Sequence, residues 1–347
     1  MQELLHAIYQ SLHIRALLKK ADNFERNFSL QTKLYVLGLG KVAYHHVQAI
    51  SETYQQLQIV NRIAVVPKDF SCISEEILIR GAHPELENQS FQAGQQLMHA
   101  LKQIPSDGTL LFCLSGGGSA LAEIAAPGLE EDFLKAVNSH LLKSGISIVE
   151  MNLLRMALSA FKNGGALCGF KGDAEVYLSI LSDVPTHDWH SVASSPLIYR
   201  ELKLEQIKDV VERWLPADWS GKIKKFLASS NYKKLQYEKK AVGQKFSIHS
   251  ELVGDGEFAL ESVAASISSR YVVNLGVLSC PLAEAIELHL QCLKEMPPGP
   301  FAIISGGECP VTITAKKPGK GGRNTHFALA LVEKIFYKNI LGLSPQE

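Results

Sequence analysis

The chain has 347 residues, 46% of them hydrophobic, and its 35 Lys plus Arg balance 35 Asp plus Glu. That length and apolar content suit two domains with substantial cores. Zero net charge excludes the broad basic surface of a nucleic-acid or anionic-membrane binder. The six cysteines, Cys72, Cys113, Cys168, Cys280, Cys292 and Cys309, form no CxxC pair. Such scattered thiols predict a reduced, cytoplasmic protein.

In chain order, Leu4, Leu5, Ile8 and Leu12 make the stripe of an amphipathic helix, with neither the continuous apolar core nor the cleavage site of a signal peptide. No apolar run reaches bilayer-spanning length. KLYVLGLG, Lys33 to Gly40, reads as a buried strand and its turn, and KVAYHHVQAISETYQQL as the helix after it. NRIAVVPK is a second strand, followed by a loop with GAHPE, Gly81 to Glu85, and the helix SFQAGQQLMHALKQI. GTLLFCLSGGGSA is a strand running into a Gly/Ser turn. Two helices, LEEDFLKAVNSHLLKS and ISIVEMNLLRMALSAF, precede the strand AEVYLSILSDVP. Strand and helix alternate as in an α/β domain with a mostly parallel, Rossmann-like sheet.

Residues 201–237 read as charged helix. YKKLQYEKKAVGQKF is basic with little periodicity, so the domain connection is expected there, giving domains 1–240 and 241–347. The second, smaller α/β domain begins with the strand SIHSELVG. It continues with EFALESVAASISSR as helix, YVVNLGVLSC as strand and PLAEAIELHLQCLKEM as a helix stopped by Pro297, Pro298 and Pro300. FAIISGGE and VTITAKK are expected as strands, paired as a hairpin around SGGECP. GKGGRN, Gly319 to Asn324, opens the helical run HFALALVEKIF.

The polar residues gather just after strand ends, where parallel sheets bind ligands. GLGK ends at Lys41, and its Gly38-x-Gly40-x-x-Ala43 spacing meets the short dinucleotide fingerprint. No acid lies between Glu52 and Asp69 to hold a ribose, which argues against a nicotinamide site. A tight turn with an exposed lysine is the plainer reading. SGGGSA places Gly116, Gly117 and Gly118 between Ser115 and Ser119. Three glycines leave no side chains to pack, which suits close approach of a ligand, although a strained turn needs them equally. There is no GxSxG elbow.

SDVPTHD offers Asp183, His187 and Asp188 for general-base work or Mg²⁺, or as turn-capping residues. His83 reads as a turn residue before Pro84, and His45 and His46 as structural. Near the end, SGGE (Ser305, Gly306, Gly307, Glu308) and GKGGRN (Gly321, Gly322, Arg323, Asn324) form two further glycine turns, with Lys320 and Arg323 adding positive charge. Glycines at a helix start admit phosphate oxygens, and Arg323 is suited to neutralise a transferring phosphoryl group. A solvated surface charge is the alternative for Arg323, and a helix cap for Asn324.

Together these motifs resemble the glycerate kinase type 2 family, some of whose members carry the name hydroxypyruvate reductase. GLGKVA (Gly38 to Ala43), FCLSGGGSAL (Phe112 to Leu121), LSDVP (Leu181 to Pro185) and ISGGECPVTI with GKGGRNTHFALAL (Ile304 to Leu331) carry the likeness. GAHPE, LSAFKNGGAL and LVGDGEFAL add to it in the same order along nearly the whole chain. The resemblance implies two α/β domains with the site in a cleft between them, and ATP-dependent phosphorylation of D-glycerate to 2-phosphoglycerate. It implies catalytic roles for Lys41, Arg323 and Asp183, and a phosphate or carboxylate cradle from Ser115 to Ser119. Gly306, Gly307, Glu308, Gly321, Gly322 and Asn324 join the binding set, and Asp183 is the candidate Mg²⁺ ligand.

The chain departs from the family where SDVPGDD becomes SDVPTHD, with Thr186 and His187, and where the SGPT segment becomes SSPL, with Ser195 and Leu197. Arg155, Met156 and Ala157 stand where the family has Arg-Lys-His. The family continues past GGRN with a further strand and a closing glycine-rich segment. The second domain is therefore expected to be incomplete, with sheet edges that a second subunit would cover. A relative that binds nucleotide without catalysis and an NAD(P)-dependent hydroxypyruvate reductase remain the alternatives.

Overall fold

The computed structural model describes residues 12–20, 28–71, 78–173, 175–183, 188–267, 271–310 and 322–336. The chain divides into two compact units, Ile14–Val253 and Gly254–Glu347 with Met1–His13.

The larger unit is built on a six-stranded sheet. Its strands are β1 (Lys33–Leu39), β2 (Ile59–Pro67), β3 (Leu78–Gly81), β4 (Gly108–Ser115), β5 (Glu175–Leu181) and β6 (Ser247–Gly254), in the order β3-β2-β1-β4-β5-β6. β1 pairs in parallel with β2 on one side and β4 on the other, and β2–β3 and β4–β5 are parallel too. β4 is buried at all eight positions, which is why GTLLFCLS reads as a continuous apolar run and not as an alternating one. From β1 the chain builds outward through β2 and β3, then returns to place β4 against the other edge of β1. The carboxyl ends of β1 and β4 therefore flank the point where the strand order reverses.

Helix α1 (Ile14–Lys20) buries Leu17 and Leu18. Leu12, expected on an apolar stripe, is exposed, and Leu4, Leu5 and Ile8 lie outside the described residues. Helices α2 (Ala43–Thr53) and α3 (Asn88–Lys102) flank the sheet. A short turn of helix, α4 (Gly118–Leu121), follows β4. One core cluster joins the sheet to α3 through Leu37, Leu97, Phe112 and Leu178. A second joins α5 (Glu131–Lys143), α6 (Ile148–Leu158), α7 (Leu204–Trp214) and α8 (Ala217–Ala228) through Phe133, Leu154, Val211 and Ile223.

Two sequence expectations change here. YKKLQYEKKAVGQK is regular helix, α9 (Ser230–Lys245), capped where the Ser229 side chain accepts from the Tyr232 N–H. Its buried stripe is Tyr232, Leu235 and Lys239. A lysine on the buried face hides the periodicity that would have marked it. The division between units also falls after Val253 and not at residue 240, because β6 is the sixth strand of the first sheet.

The smaller unit contains α10 (Gly256–Ser266), β7 (Tyr271–Leu278), α11 (Leu282–Glu295), β8 (Phe301–Gly307) and α12 (Arg323–Phe336). Asp255 caps α10 by accepting from the Phe258 N–H at 2.9 Å. β7 and β8 pair in parallel, with Leu278 opposite Gly307. The expected VTITAKK strand and its hairpin lie outside the described residues.

Candidate active site

At the carboxyl end of β1 the chain turns through Gly40, and the Lys41 N–H donates to the Gly116 carbonyl at 2.9 Å. The GLGK and SGGG turns are thereby tied together. A Cβ on Gly40 would collide with Ser115, and one on Gly116 with the carboxylate of Asp183. Gly117 lies in the left-handed region at φ +84°, and a Cβ there would stand 2.9 Å from Lys41 Cγ and 3.1 Å from His83 Cδ2. The glycines are thus required for close packing of Lys41, His83 and Asp183 around one turn.

These groups line one open cavity of about 290 Å³, together with Ser119, Asn152, Arg155 and Ala193. Lys41 and Asp183 are exposed. Asp183 is the only carboxylate lining the cavity among the described residues. His83 is half-buried, and its pKa is lowered by burial and then by the neighbouring Lys41 charge. The sequence had pointed only to a turn residue at this position.

Ser115 is buried, and its Oγ has no hydrogen-bond partner among the described residues. An unsatisfied hydroxyl beneath a glycine turn is a ready donor for an anion. Ser119 Oγ lies 2.8 Å from Ser194 Oγ, whose hydrogen goes to Asn152 Oδ1 at 3.0 Å. Ser119 therefore donates to Ser194 and presents its lone pairs to the cavity. Ala193, Ser194 and Ser195 have φ of +54°, +58° and +59°. Three consecutive non-glycine residues in this region store strain. Ser195 Oγ, donating to Ile198 O at 2.9 Å, and Gly164 N, donating to Ser195 O at 2.9 Å, help to hold it.

Asp188 does not join the cavity. Arg200 grips both its oxygens, at 2.6 and 2.9 Å, and this bonding lowers its pKa to about 2. His187 and Gly321 lie outside the described residues. His46 is fully buried against Ser179 Oγ at 2.8 Å, and burial drives its pKa to about 3. His45 is exposed on the same helix.

The remaining predicted residues belong to the smaller unit. Gly307 has φ +98°, and a Cβ there would meet the Leu278 carbonyl, so strand pairing alone requires glycine. Gly306 meets Leu260 only at ordinary contact distance. Arg323 Nη1 lies 3.6 Å from Glu308 Oε2, and both side chains are exposed. α12 begins at Arg323, so Asn324 stands inside the first turn and not at the cap, and Gly322 O accepts from His326 N.

His83, Arg155 and Asn152 reach the cavity although the sequence did not nominate them, and Ser194 lies buried behind Ser119 and Asn152. The proline after His83 and the departures around SSPL were the available signals. No group of three or more potential metal-ligating side chains occurs among the described residues.

Residues 1–228 match a family described as a domain of unknown function, DUF4147. An Agrobacterium vitis protein provisionally named a hydroxypyruvate reductase is 27% identical over 314 residues, covering 85% of this chain and 77% of its own. The glycerate 2-kinase of Sulfurisphaera tokodaii is 27% identical over 335 residues, covering 94% of this chain and 77% of its own. The crystal structure of a Thermotoga maritima glycerate kinase superposes with a TM-score of 0.71 at 22% identity, over 96% of this chain and 78% of that one.

Proposed function

Because the chain belongs to the DUF4147 family, and its motifs to the glycerate kinase type 2 pattern, we propose that it is a glycerate 2-kinase. In this reading it transfers the γ-phosphoryl group of ATP to the 2-hydroxyl of D-glycerate. The observation that carries it is the convergence of Lys41, Gly116, Gly117 and Asp183 on one cavity where the strand order reverses.

Ser115 and the backbone N–H groups of the glycine turn hold phosphate oxygens. Lys41 offsets charge on the phosphoryl group as it moves in line from ADP to the acceptor oxygen, and the motif resemblance assigns Arg323 a like charge-neutralising role. The motif resemblance adds Gly306, Gly307, Glu308, Gly321, Gly322 and Asn324 to the nucleotide-binding set. Mg²⁺ is bound in proteins through one or two carboxylates plus substrate phosphates, and the single cavity carboxylate, Asp183, fits that pattern. Bound there, the ion would neutralise phosphate charge. Asp183 accepts the proton of the attacking hydroxyl, and His83, which lines the same cavity, is the alternative acceptor. The enzyme works in the cytoplasm, where its five described cysteines, all free, stay reduced.

The strand order and the name of the Agrobacterium vitis relative also favour a nicotinamide reductase. That reading lacks its ribose-holding acid: the residue after β2 is Lys68, which pairs with Glu87 at 2.7 Å. The test is ATP-dependent formation of 2-phosphoglycerate by the purified chain. Turnover is expected, with Lys41→Ala lowering kcat by about 10³-fold and leaving the fold intact, since Lys41 is exposed. No turnover, or hydroxypyruvate-dependent consumption of NADH, would sink the kinase reading.

A further inference from the structure

Arg155 is a partly buried cation with no paired carboxylate among the described residues. It projects from α6 into the cavity that Lys41 and Asp183 share. Its Nε and Nη2 both donate to Asn138 Oδ1, at 3.1 and 2.9 Å, and this fixes the plane of the guanidinium. No carboxylate is paired with it among the described residues. The acid whose charge it feels most is Glu123. Both Glu123 oxygens are already committed, one to the Lys162 ammonium and the other to the Ser159 hydroxyl. Burial lowers the Arg155 pKa only to about 10, so the group stays charged at neutral pH.

An unneutralised charge in such a place is costly unless something compensates it. Solvent supplies part of that compensation, since the side chain is only partly buried beside α5 and α6. Nη1, with both its hydrogens, is left over from the Asn138 contacts. Two features distinguish this cation from Lys41. Lys41 is exposed and lies against the glycine turn, whose backbone N–H groups suit a multiply charged phosphate chain. Arg155 is held in one orientation on a helix by Asn138, and the apolar Leu142 and Ile148 line the same cavity. A planar, fixed fork can donate two N–H groups to the two oxygens of a carboxylate, and the glycine turn beside Lys41 is the better place for the phosphates.

We propose that Arg155 is the carboxylate-binding residue of this cavity and makes the enzyme select a 2-hydroxy carboxylate over a neutral polyol. The identity of the acid rests on the kinase reading above. The charge argument does not. Asn138 is the positioning residue, since it sets the orientation of the fork.

The experiment compares D-glycerate with its neutral amide, D-glyceramide, by calorimetric Kd on the full chain, and measures 2-phosphoglycerate formation in parallel. The wild type is expected to bind the acid about 10²-fold more tightly than the amide. Arg155→Met removes that preference and leaves amide binding unchanged, and Arg155→Lys restores part of it. A structural role would weaken both ligands equally. Equal weakening, an unchanged preference in a folded Arg155→Met variant, or a wild type that does not discriminate overturns the assignment. If Arg155→Met does not fold, Arg155→Lys decides: unchanged acid binding overturns it, and about tenfold weaker acid binding with the amide unaffected upholds it. Arg155-dependent acid binding without product removes the kinase reading and keeps this one. Product formation with an unaltered preference does the reverse.

Discussion

Strand β4 of the larger unit is buried at every position, whereas neither strand of the smaller unit has one fully buried residue. The same contrast holds for helices: α6 buries Met151, Leu154, Ala157 and Leu158, and α12 buries none. Each unit carries part of the proposed machinery. Lys41, His83 and Asp183 hang from the ends of deeply packed strands and their loops. Arg323 starts a helix with no buried face and has one exposed acidic neighbour, Glu308. A buried frame fixes a site before any ligand arrives, so residues on it divide cleanly into those that hold the frame and those that face the cavity. In the smaller unit that division disappears, because the residue proposed for chemistry has almost no structural partner to lose.

The sharpest test of this contrast is Arg323→Ala. An arginine that neutralises a transferring phosphoryl group is worth about 10³-fold or more in kcat. An exposed ion pair at 3.6 Å is worth about 0–1 kcal/mol. Turnover should therefore collapse while the thermal midpoint stays within a degree or two of the wild type. Unchanged kcat would confine the chemistry to the larger unit. A large fall in midpoint would mean that Arg323 holds structure after all.

The same contrast explains what could be read in the sequence. KLYVLGLG and GTLLFCLS are legible because a strand buried on both faces must be apolar throughout, and the turns after them are legible because glycine triplets are rare. Lys41, Ser115 to Ser119 and Asp183 follow from the rule that ligands gather at strand ends. β6 was legible as a strand but not as a neighbour of β5, since pairing partners far apart in sequence leave no local mark. α9 was hidden by Lys239 on its buried face. His83 sits on the GAHPE loop and Arg155 on a helix, and Arg155 does not follow a strand end as Lys41 and Asp183 do. What marks them as candidates is partial burial, neighbouring charge and, for Arg155, the absence of a paired carboxylate among the described residues, none of which is written in residue type. For Arg323 the sequence remains the stronger argument, because the described structure gives it only one contact.

A second way to sharpen the contrast is to break the frame of the larger unit without touching a cavity residue. Lys162 and Glu123 are fully buried and paired, and the Ser159 hydroxyl donates to the same carboxylate. Burial lowers the Lys162 pKa against the upward pull of Glu123. Lys162→Met leaves the Glu123 carboxylate buried with only hydrogen bonds, at an expected cost of about 3–5 kcal/mol in urea or thermal unfolding. Glu123→Gln combined with Lys162→Met should recover part of that loss, because no lone charge remains. A Lys162→Met variant as stable as the wild type would mean that solvent reaches the pair and that the frame is less dry than its burial indicates.

The smallest expected effect is a slope with pH, and it tests burial directly. Both buried lysines among the described residues lie in the larger unit. Lys239 donates to the Ser159 carbonyl at 2.7 Å, beneath the Glu123–Lys162 pair. Burial lowers its pKa from 10.5 to about 7, with Lys162 pushing the same way and Cys168 and Glu123 pulling back. Below pH 7 both the folded and unfolded chains carry the proton, and the cost of burying it is paid in full. Between about 7 and 10.5 the unfolded chain holds a proton that the folded chain has released, so stability rises with pH across that window, by at most roughly 1.4 kcal/mol per pH unit. Above it the gain is complete. Lys239→Met has no proton to release, so its stability measured at pH 7, 8 and 9 should lack this part of the slope. Parallel pH profiles for the two proteins would show that the Lys239 ammonium is solvated, and would remove the dry interior on which the contrast between the two units depends.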